Sequence, residues 1–481
     1  MYKFVIPAAL CALLMASRPA VAEVRDTYAT LPDLGDTTAQ TFSPQFEREL
    51  GRDFIRQIRQ AGLVLEDEEA TRYLRNLGRR LAMHSENPGH SFTFFLVNDP
   101  RINAFAGPGG YIGTNLGLFT AAESESELAG VLAHEIAHVT QRHLARAFDT
   151  ASKLTLPNAA ALLAAILIGT QDGQAGAAAL TAVSALGIQQ QINFTRANEK
   201  EADRVGIRAL AGAGFDPHGM AGFFEKLQKN AKLYGTQPPE FLSTHPVTTD
   251  RIAEATSRAE SYPDVKQADD REFQLMRAKL RVASYESPRQ VLLDFQRFHG
   301  KEGGRTDVER YEYALLLAAG KQYARATEVM RGLHRADPER LAYRLALGRI
   351  LQQAGDLDAA VKLYRDSLSL YPGETVVVLP YASTLMTTGK NEQAYTLLTD
   401  LSNNTADNPA VYKLLAQAAG KTNRALQTHT AMAEYYYLNG YTLQAVEQMK
   451  LAQKTPRLSD YQAARIQARL KALKQELKDK D

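Results

Sequence analysis

The sequence predicts a mainly α-helical protein with a small β element: an enzyme-like N-terminal part followed by an α-solenoid. Three observations predict it. The stretch "GVLAHEIAHVTQRH" (130–143) has helical periodicity and carries two histidines four residues apart, with a glutamate directly after the first. The aromatic and β-branched run "SFTFFLVND" (91–99) interrupts an otherwise helical pattern. Beyond roughly residue 300, small residues and prolines recur with a spacing of 34.

The chain has 481 residues, too many for one ordinary core, so two or more domains are expected. Charged residues make up 23% and apolar residues 45%, the balance of a globular chain. Net charge is +2, and residues 1–22 contribute Lys3 and Arg18 to it. Without them 54 basic residues (56 less two) face 54 acidic ones, so no basic excess asks for nucleic acid.

The N-terminus, "MYKFVIPAALCALLMASRPAVAEV", reads as a secretory signal cleaved after Ala22. Lys3 is a minimal charged start, residues 4–16 are almost wholly apolar, and "AVA" supplies small residues before the cut. About 13 apolar residues are too few to span a bilayer. Cys11 is the only cysteine and leaves with the signal. The mature chain then has no disulfide, and packing and any bound metal must stabilise it.

The elements follow in order. Residues 23–45 are polar and turn-rich and are expected to form an extended arm. Residues 46–85 carry helical periodicity through Tyr73, Leu74, Leu77 and Leu81. After the strand at 91–99, "INAFAGPGGYIGTNLGLF" places a Gly/Pro turn between two strand-like runs. Helices are expected over 123 to about 148, from about 190 to 212, and after Pro217. Between them, 158–168 and 177–188 are Ala/Leu-rich but too short to span a bilayer. They read as a buried or partner-facing helical hairpin, with a membrane-surface element as the alternative. Residues 265–306 look helical and link the two parts.

In the repeat region Ala326, Ala360 and Ala394 are 34 apart, as are Pro338 and Pro372. The clearest copy, 341–374, places Leu347-Gly348 and Leu351 on a first helix and Ala360, Tyr364 and Ser367 on a second. This is the tetratricopeptide pattern, in which small residues let paired helices approach and large ones fill the space between. Copies are expected to start near 307, 341 and 375, with a further copy over 426–458 and an incomplete one over 409–425.

On a helix, positions i and i+4 share a face, so His134 and His138 can aim at one ion. Two imidazoles suit zinc, and a catalytic zinc keeps a place for water. Glu135, rotated about 100° from His134, would flank the metal as the general base. A third ligand is needed, and "ANEKEADRVGIRAL" (197–210) offers Glu199 and Glu201. Glu199 shares a stripe with Ala202, Asp203, Gly206, Ala209 and Leu210, whereas Glu201 shares a charged face with Arg204 and Arg208. Glu199 is therefore assigned as the ligand. Asp203 would take the second ring N–H of a histidine ligand, and Gly206 would allow close helix approach. A strand of the 102–113 segment is a candidate for pairing with an extended peptide substrate.

This H-E-x-x-H segment with its following acidic helix resembles the gluzincin peptidases, the zincin-type group that includes the CAAX prenyl proteases. With the signal and the repeats, nearly the whole mature chain is similar to the periplasmic β-barrel assembly-enhancing proteases. The resemblance implies one zinc ion per chain, with His134, Glu135, His138 and Glu199 at the family's zinc and base positions and Asp203 as its supporting acid. "STHPVTTDRI" (243–252) resembles a further family segment. By that resemblance His245 can fill zinc's open position and hold the enzyme latent, with Arg251 near the site.

The implied domains are a signal peptide (1–22), an arm (23–45), a metalloprotease domain (46–264), a helical linker (265–306) and a repeat domain (307–481). The implied activity is a periplasmic endopeptidase with a chaperone-like role. Its implied partners are misassembled outer-membrane β-barrel proteins and, through the repeats, the barrel-assembly machinery. The resemblance leaves room for peripheral membrane contact but not for a membrane-embedded active site. The competing reading is a chiefly non-proteolytic chaperone or adaptor for outer-membrane proteins; a third is a general peptidase unconnected to barrel assembly.

Overall fold

The computed structural model describes residues 43–146, 196–234, 239–263, 265, 270–300 and 304–479. The expected signal, nearly all of the arm and the two Ala/Leu-rich runs lie outside the described residues.

Helix α1 (Pro44–Gln60) starts where Ser43 accepts a hydrogen bond from the Phe46 amide, with proline at its first position. Helix α2 (Glu68–Ala82) is capped in the same way by Asp67 and carries Tyr73, Leu74, Leu77 and Leu81 on its buried face. The helical periodicity read over 46–85 is carried by these two helices. Three strands follow: β1 (Thr93–Val97), β2 (Ala104–Ala106) and β3 (Tyr111–Asn115). Their order is β1-β3-β2. β3 pairs antiparallel with β2 across the Gly/Pro turn and parallel with β1, with Phe95 opposite Gly113. The tail of the second strand-like run is helical, as the short α3 (Leu116–Ala121).

Helix α4 (Glu125–Thr140) carries the paired histidines and is capped by Ser124. Every residue from Leu128 to Val139 is buried, so the helix is enclosed on all sides. It packs against α5 (Arg196–Gly212) and α6 (His218–Tyr234). A Cβ on Gly206 would lie 3.1 Å from the His134 amide nitrogen, tighter than an ordinary contact, so glycine eases the close approach of α5 to α4. The short α7 (Glu240–Thr244) and α8 (Thr249–Ala259) close this layer. Helix α4 ends earlier than expected. Arg142 adopts a left-handed φ of 54°, and the chain turns before resuming helical geometry at 143–146.

Helices α9 (Arg271–Ser284) and α10 (Pro288–His299) lead into the repeats. The pairs are α11 (Asp307–Ala319) with α12 (Tyr323–Ala336), α13 (Leu341–Ala354) with α14 (Leu357–Leu370), and α15 (Thr375–Thr387) with α16 (Asn391–Ser402). They continue as α17 (Pro409–Lys421) with α18 (Ala425–Leu438), then α19 (Thr442–Gln453) with α20 (Asp460–Lys478). The first helices of the first four pairs start at 307, 341, 375 and 409, a step of 34, and that of the fifth at 442, a step of 33. The expected copy over 426–458 is half a repeat out of register, and 409–421 is a full helix. Composition misled here because Ala433 and Ala445 are both buried small residues on adjacent helices. Ala326, Ala360 and Ala394 are fully buried, as the period requires. No described helix is long and apolar enough to cross a membrane.

The array folds back on the N-terminal part. Arg56 of α1 is buried and donates to the Tyr437 carbonyl (2.8 Å), Thr442 (2.5 Å) and Glu476 (2.5 Å). Glu69 of α2 pairs with Arg349 at 2.8 Å and Lys279 at 3.0 Å.

Candidate metal centre

His134 and His138 lie on one side of α4 because they are one turn apart, and their Nε2 atoms are 3.0 Å from each other. Helix α5 brings Glu199 to them, with carboxylate oxygens 3.5 Å from each histidine Nε2. His245, at the C-terminal cap of α7, is held by its backbone N–H, which donates to the Phe241 carbonyl (2.7 Å). Its Nδ1 stands 3.4 Å from His134 Nε2 and 3.1 Å from Glu199 Oε1. All four side chains are buried, and their donor atoms lie within 4.8 Å of one another.

These spacings fit one small cation. Tetrahedral bonds of about 2.0–2.1 Å put neighbouring donors about 3.3 Å apart. Five of the six donor pairs here are separated by 3.0–3.5 Å, and all six lie within 4.8 Å. Two imidazoles facing each other edge-on at this range repel through their lone pairs unless a proton or a cation lies between them. The donor types, nitrogen and carboxylate oxygen, are those zinc takes.

The surrounding charges are set for such an ion. Burial alone would lower the His134 pKa, but Asp203 and Glu199 outweigh it and lift the imidazole to about 9. Burial and then the like charge of His134 hold His138 well below the usual imidazole range. Burial works against ionising Glu199, yet His245 and His134 keep its carboxyl far below the ordinary value. Positive charge is therefore favoured among these carboxylates, and nitrogen lone pairs remain for it.

Asp203 and Arg251 support the cluster from one side. Asp203 Oδ1 lies 2.9 Å from His134 Nδ1. Arg251 grips Asp203 through Nε and Nη2 (2.7 and 2.8 Å) and reaches Glu199 at 2.9 Å. It also donates to the Pro246 carbonyl at 2.8 Å. Arg251 is thus buried inside the network rather than merely beside it, tied to a ligand candidate and to the His245 loop.

Glu135 is not one of the four clustered donors, and it lies next to His245. Its carboxylate is fully buried, neither oxygen has a well-formed hydrogen bond, and His245 Nε2 is 3.7 Å away. Burial raises its pKa, and His245, His134 and the backbone of Ala106 counter that only in part. A carboxylate in this state is eager for a proton. Ala106 belongs to β2, so the sheet's edge runs beside the acid.

Sequence reasoning missed two residues. His143 is fully buried, with Nδ1 2.7 Å from His138 Nδ1. Glu201, assigned above to a solvated face, is only partly exposed and sits 3.0 Å from His143 Nε2 and 2.9 Å from Arg146. On an unbroken helix His143, five residues past His138, would point about 140° away from it. The turn at Arg142 brings it back.

Residues 68–259, which include every residue of this cluster, match the model of Peptidase family M48. Residues 351–418 match a tetratricopeptide repeat model. Across 465 residues the chain is 34% identical to the beta-barrel assembly-enhancing protease of Escherichia coli, covering 95% of this chain and 93% of that one. The chain belongs to the β-barrel assembly-enhancing protease family. The putative beta-barrel assembly-enhancing protease of Vibrio cholerae is 33% identical over 92% of each chain. A mitochondrial metalloendopeptidase, OMA1 of Arabidopsis thaliana, is 32% identical over 38% of this chain and 35% of its own length. As a member of the assembly-enhancing protease family, this chain is a peptidase followed by helical repeats, and its buried donor cluster suits a metal-dependent one.

Proposed function

We propose that the chain is a zinc-dependent endopeptidase of the periplasm that clears misassembled β-barrel proteins of the outer membrane. The name of the Escherichia coli relative supports the β-barrel connection, and the signal-like residues 1–22 support export. The barrel-assembly machinery is the partner proposed for the repeats. We assign residues 46–264 to the peptidase domain, 265–306 to a linker and 307–481 to the repeats.

The observation that carries the reading is the donor set, five of its six pairs spaced at 3.0–3.5 Å, buried beside a carboxylate that lacks good partners. His134, His138 and Glu199 would hold one zinc ion per chain. Bound zinc would supply Lewis acidity, acidifying water and polarising the scissile carbonyl. Glu135 takes the proton of the attacking water and passes it to the leaving amine. Asp203 holds His134 in the tautomer that leaves Nε2 free, and Arg251 holds Asp203 and Glu199 in place. His245 occupies the fourth donor place, where the attacking water must stand. Its loop is tied down by Arg251 through the Pro246 carbonyl, so turnover requires that loop to swing out.

The test is Glu135→Gln in the full chain, assayed on an unfolded outer-membrane β-barrel protein. Zinc content should match the parent, while cleavage falls by roughly 10²–10⁴. Cleavage at the parent rate would refute the assignment. His245→Ala, at matched zinc occupancy, should cleave faster than the parent because the water's place is freed. If His245 instead donates to the developing oxyanion, the same change costs roughly a hundredfold or more.

A further inference from the structure

We propose that His143 and Glu201 are positioning residues that fix which nitrogen His138 offers to the metal. The inference rests on His138 being a ligand. To present the Nε2 lone pair, His138 must carry its proton on Nδ1. That proton needs an acceptor in a buried place, and the atom 2.7 Å away is His143 Nδ1. His143 must then be unprotonated at Nδ1 and carry its own proton on Nε2. The atom facing that proton is Glu201 Oε2, at 3.0 Å. A carboxylate only accepts, so the chain of donors has one consistent direction. It runs from His138 to His143 to Glu201, with Arg146 steadying the end at 2.9 Å.

This arrangement mirrors the one on His134. There Asp203 meets Nδ1 directly. On His138 the carboxylate is one residue farther out and an imidazole bridges the gap. The two sides also differ in exposure, since the Asp203 side chain is 7% exposed and that of Glu201 27%. The backbone invests in the bridge: Arg142 takes a left-handed φ of 54°, an uncommon state for a side chain of its size. Without that turn His143 could not reach His138.

The experiment measures zinc affinity of the full chain by competition with a chelator, with the unfolding midpoint of the metal-free protein alongside. His143→Ala should weaken zinc binding by roughly 10–100-fold while the metal-free midpoint stays near the parent's. His143→Asn should recover most of that loss, because its side-chain carbonyl can accept the Nδ1–H of His138. Glu201→Ala should lose less than His143→Ala, in the same direction. Unchanged affinity in His143→Ala, with His138→Ala losing zinc, overturns the positioning role and leaves the ligand assignment standing. Asparagine no better than alanine overturns it too, since packing alone would then explain the loss. Parent-like affinity in His138→Ala removes the ligand assignment, and this inference with it.

Discussion

The donor cluster and the core of the repeat array bury opposite kinds of side chain. Around the donor cluster eight ionisable residues are sequestered together: His134, Glu135, His138, His143, Glu199, Asp203, His245 and Arg251. In the array the buried set is chiefly Ala, Leu, Val and Tyr, such as Ala360, Tyr364 and Leu385. Burying a charge is costly unless it is paired, so each ionisable group in the first region needs a particular partner. An apolar contact needs only shape and volume. The first region is therefore built from separated segments, with His134 and His245 meeting 111 residues apart. The second is built from neighbours and can repeat itself.

Replacing a single ligand breaks this contrast most severely. Glu199→Gln should weaken zinc binding by more than the roughly 10–100-fold that a supporting partner is worth. Unfolding of the repeats, followed by hydrogen exchange over 307–421, should stay unchanged. If Glu201→Gln weakens zinc binding more than Glu199→Gln does, the two glutamates have been assigned the wrong way round.

The join between the regions offers a middle-sized effect. Arg56 spends its guanidinium on Asp53, the Tyr437 carbonyl, Thr442 and Glu476, and stacks 4.0 Å from the Tyr437 ring centre. Arg56→Ala should loosen that contact by about 2–3 kcal/mol, since charge-assisted bonds go unmade and Glu476 keeps part of its hydration. Hydrogen exchange in 425–478 should rise while zinc affinity holds. A matching fall in zinc affinity would show that the array props up the donor cluster, and the contrast between the regions would lose its basis.

The same contrast explains what could be read from the sequence. The repeats were legible because period is a local signal: Ala326, Ala360 and Ala394 recur wherever the packing problem recurs. The reading failed only where small residues were too common to set the register, over 409–458. In the metal centre, His134 and His138 were legible from one helical turn, and Glu199 from the stripe it shares with Ala202 and Gly206. The position of His245 came from family resemblance, because no local pattern joins a loop at 245 to a helix at 134. His143 and Glu201 were illegible for a sharper reason. Their meeting depends on a left-handed residue at Arg142, and nothing in "HVTQRH" marks an arginine for that conformation.

The smallest effect tests whether repeat packing is as tolerant as an apolar core should be. Gly348 lies in α13, and a Cβ there would come within 2.5 Å of the Tyr364 ring on α14. Alanine favours a helix over glycine by about 1 kcal/mol, so Gly348→Ala would stabilise the chain if the ring could step aside. The ring is not free to do so. Tyr364 is fully buried, and its hydroxyl donates to Gln352 Oε1 at 2.9 Å. Overpacking should cost about 1–3 kcal/mol, leaving a net loss of roughly 1 kcal/mol after the helix gain. Thermal unfolding of the repeats would register it, and zinc affinity would not. Combining the change with Tyr364→Leu decides the cause. With the ring gone, alanine at 348 should become neutral or stabilising relative to glycine in the same background. An equal loss in both backgrounds would mean that the Tyr364 contact is not what requires glycine at this step of the repeat.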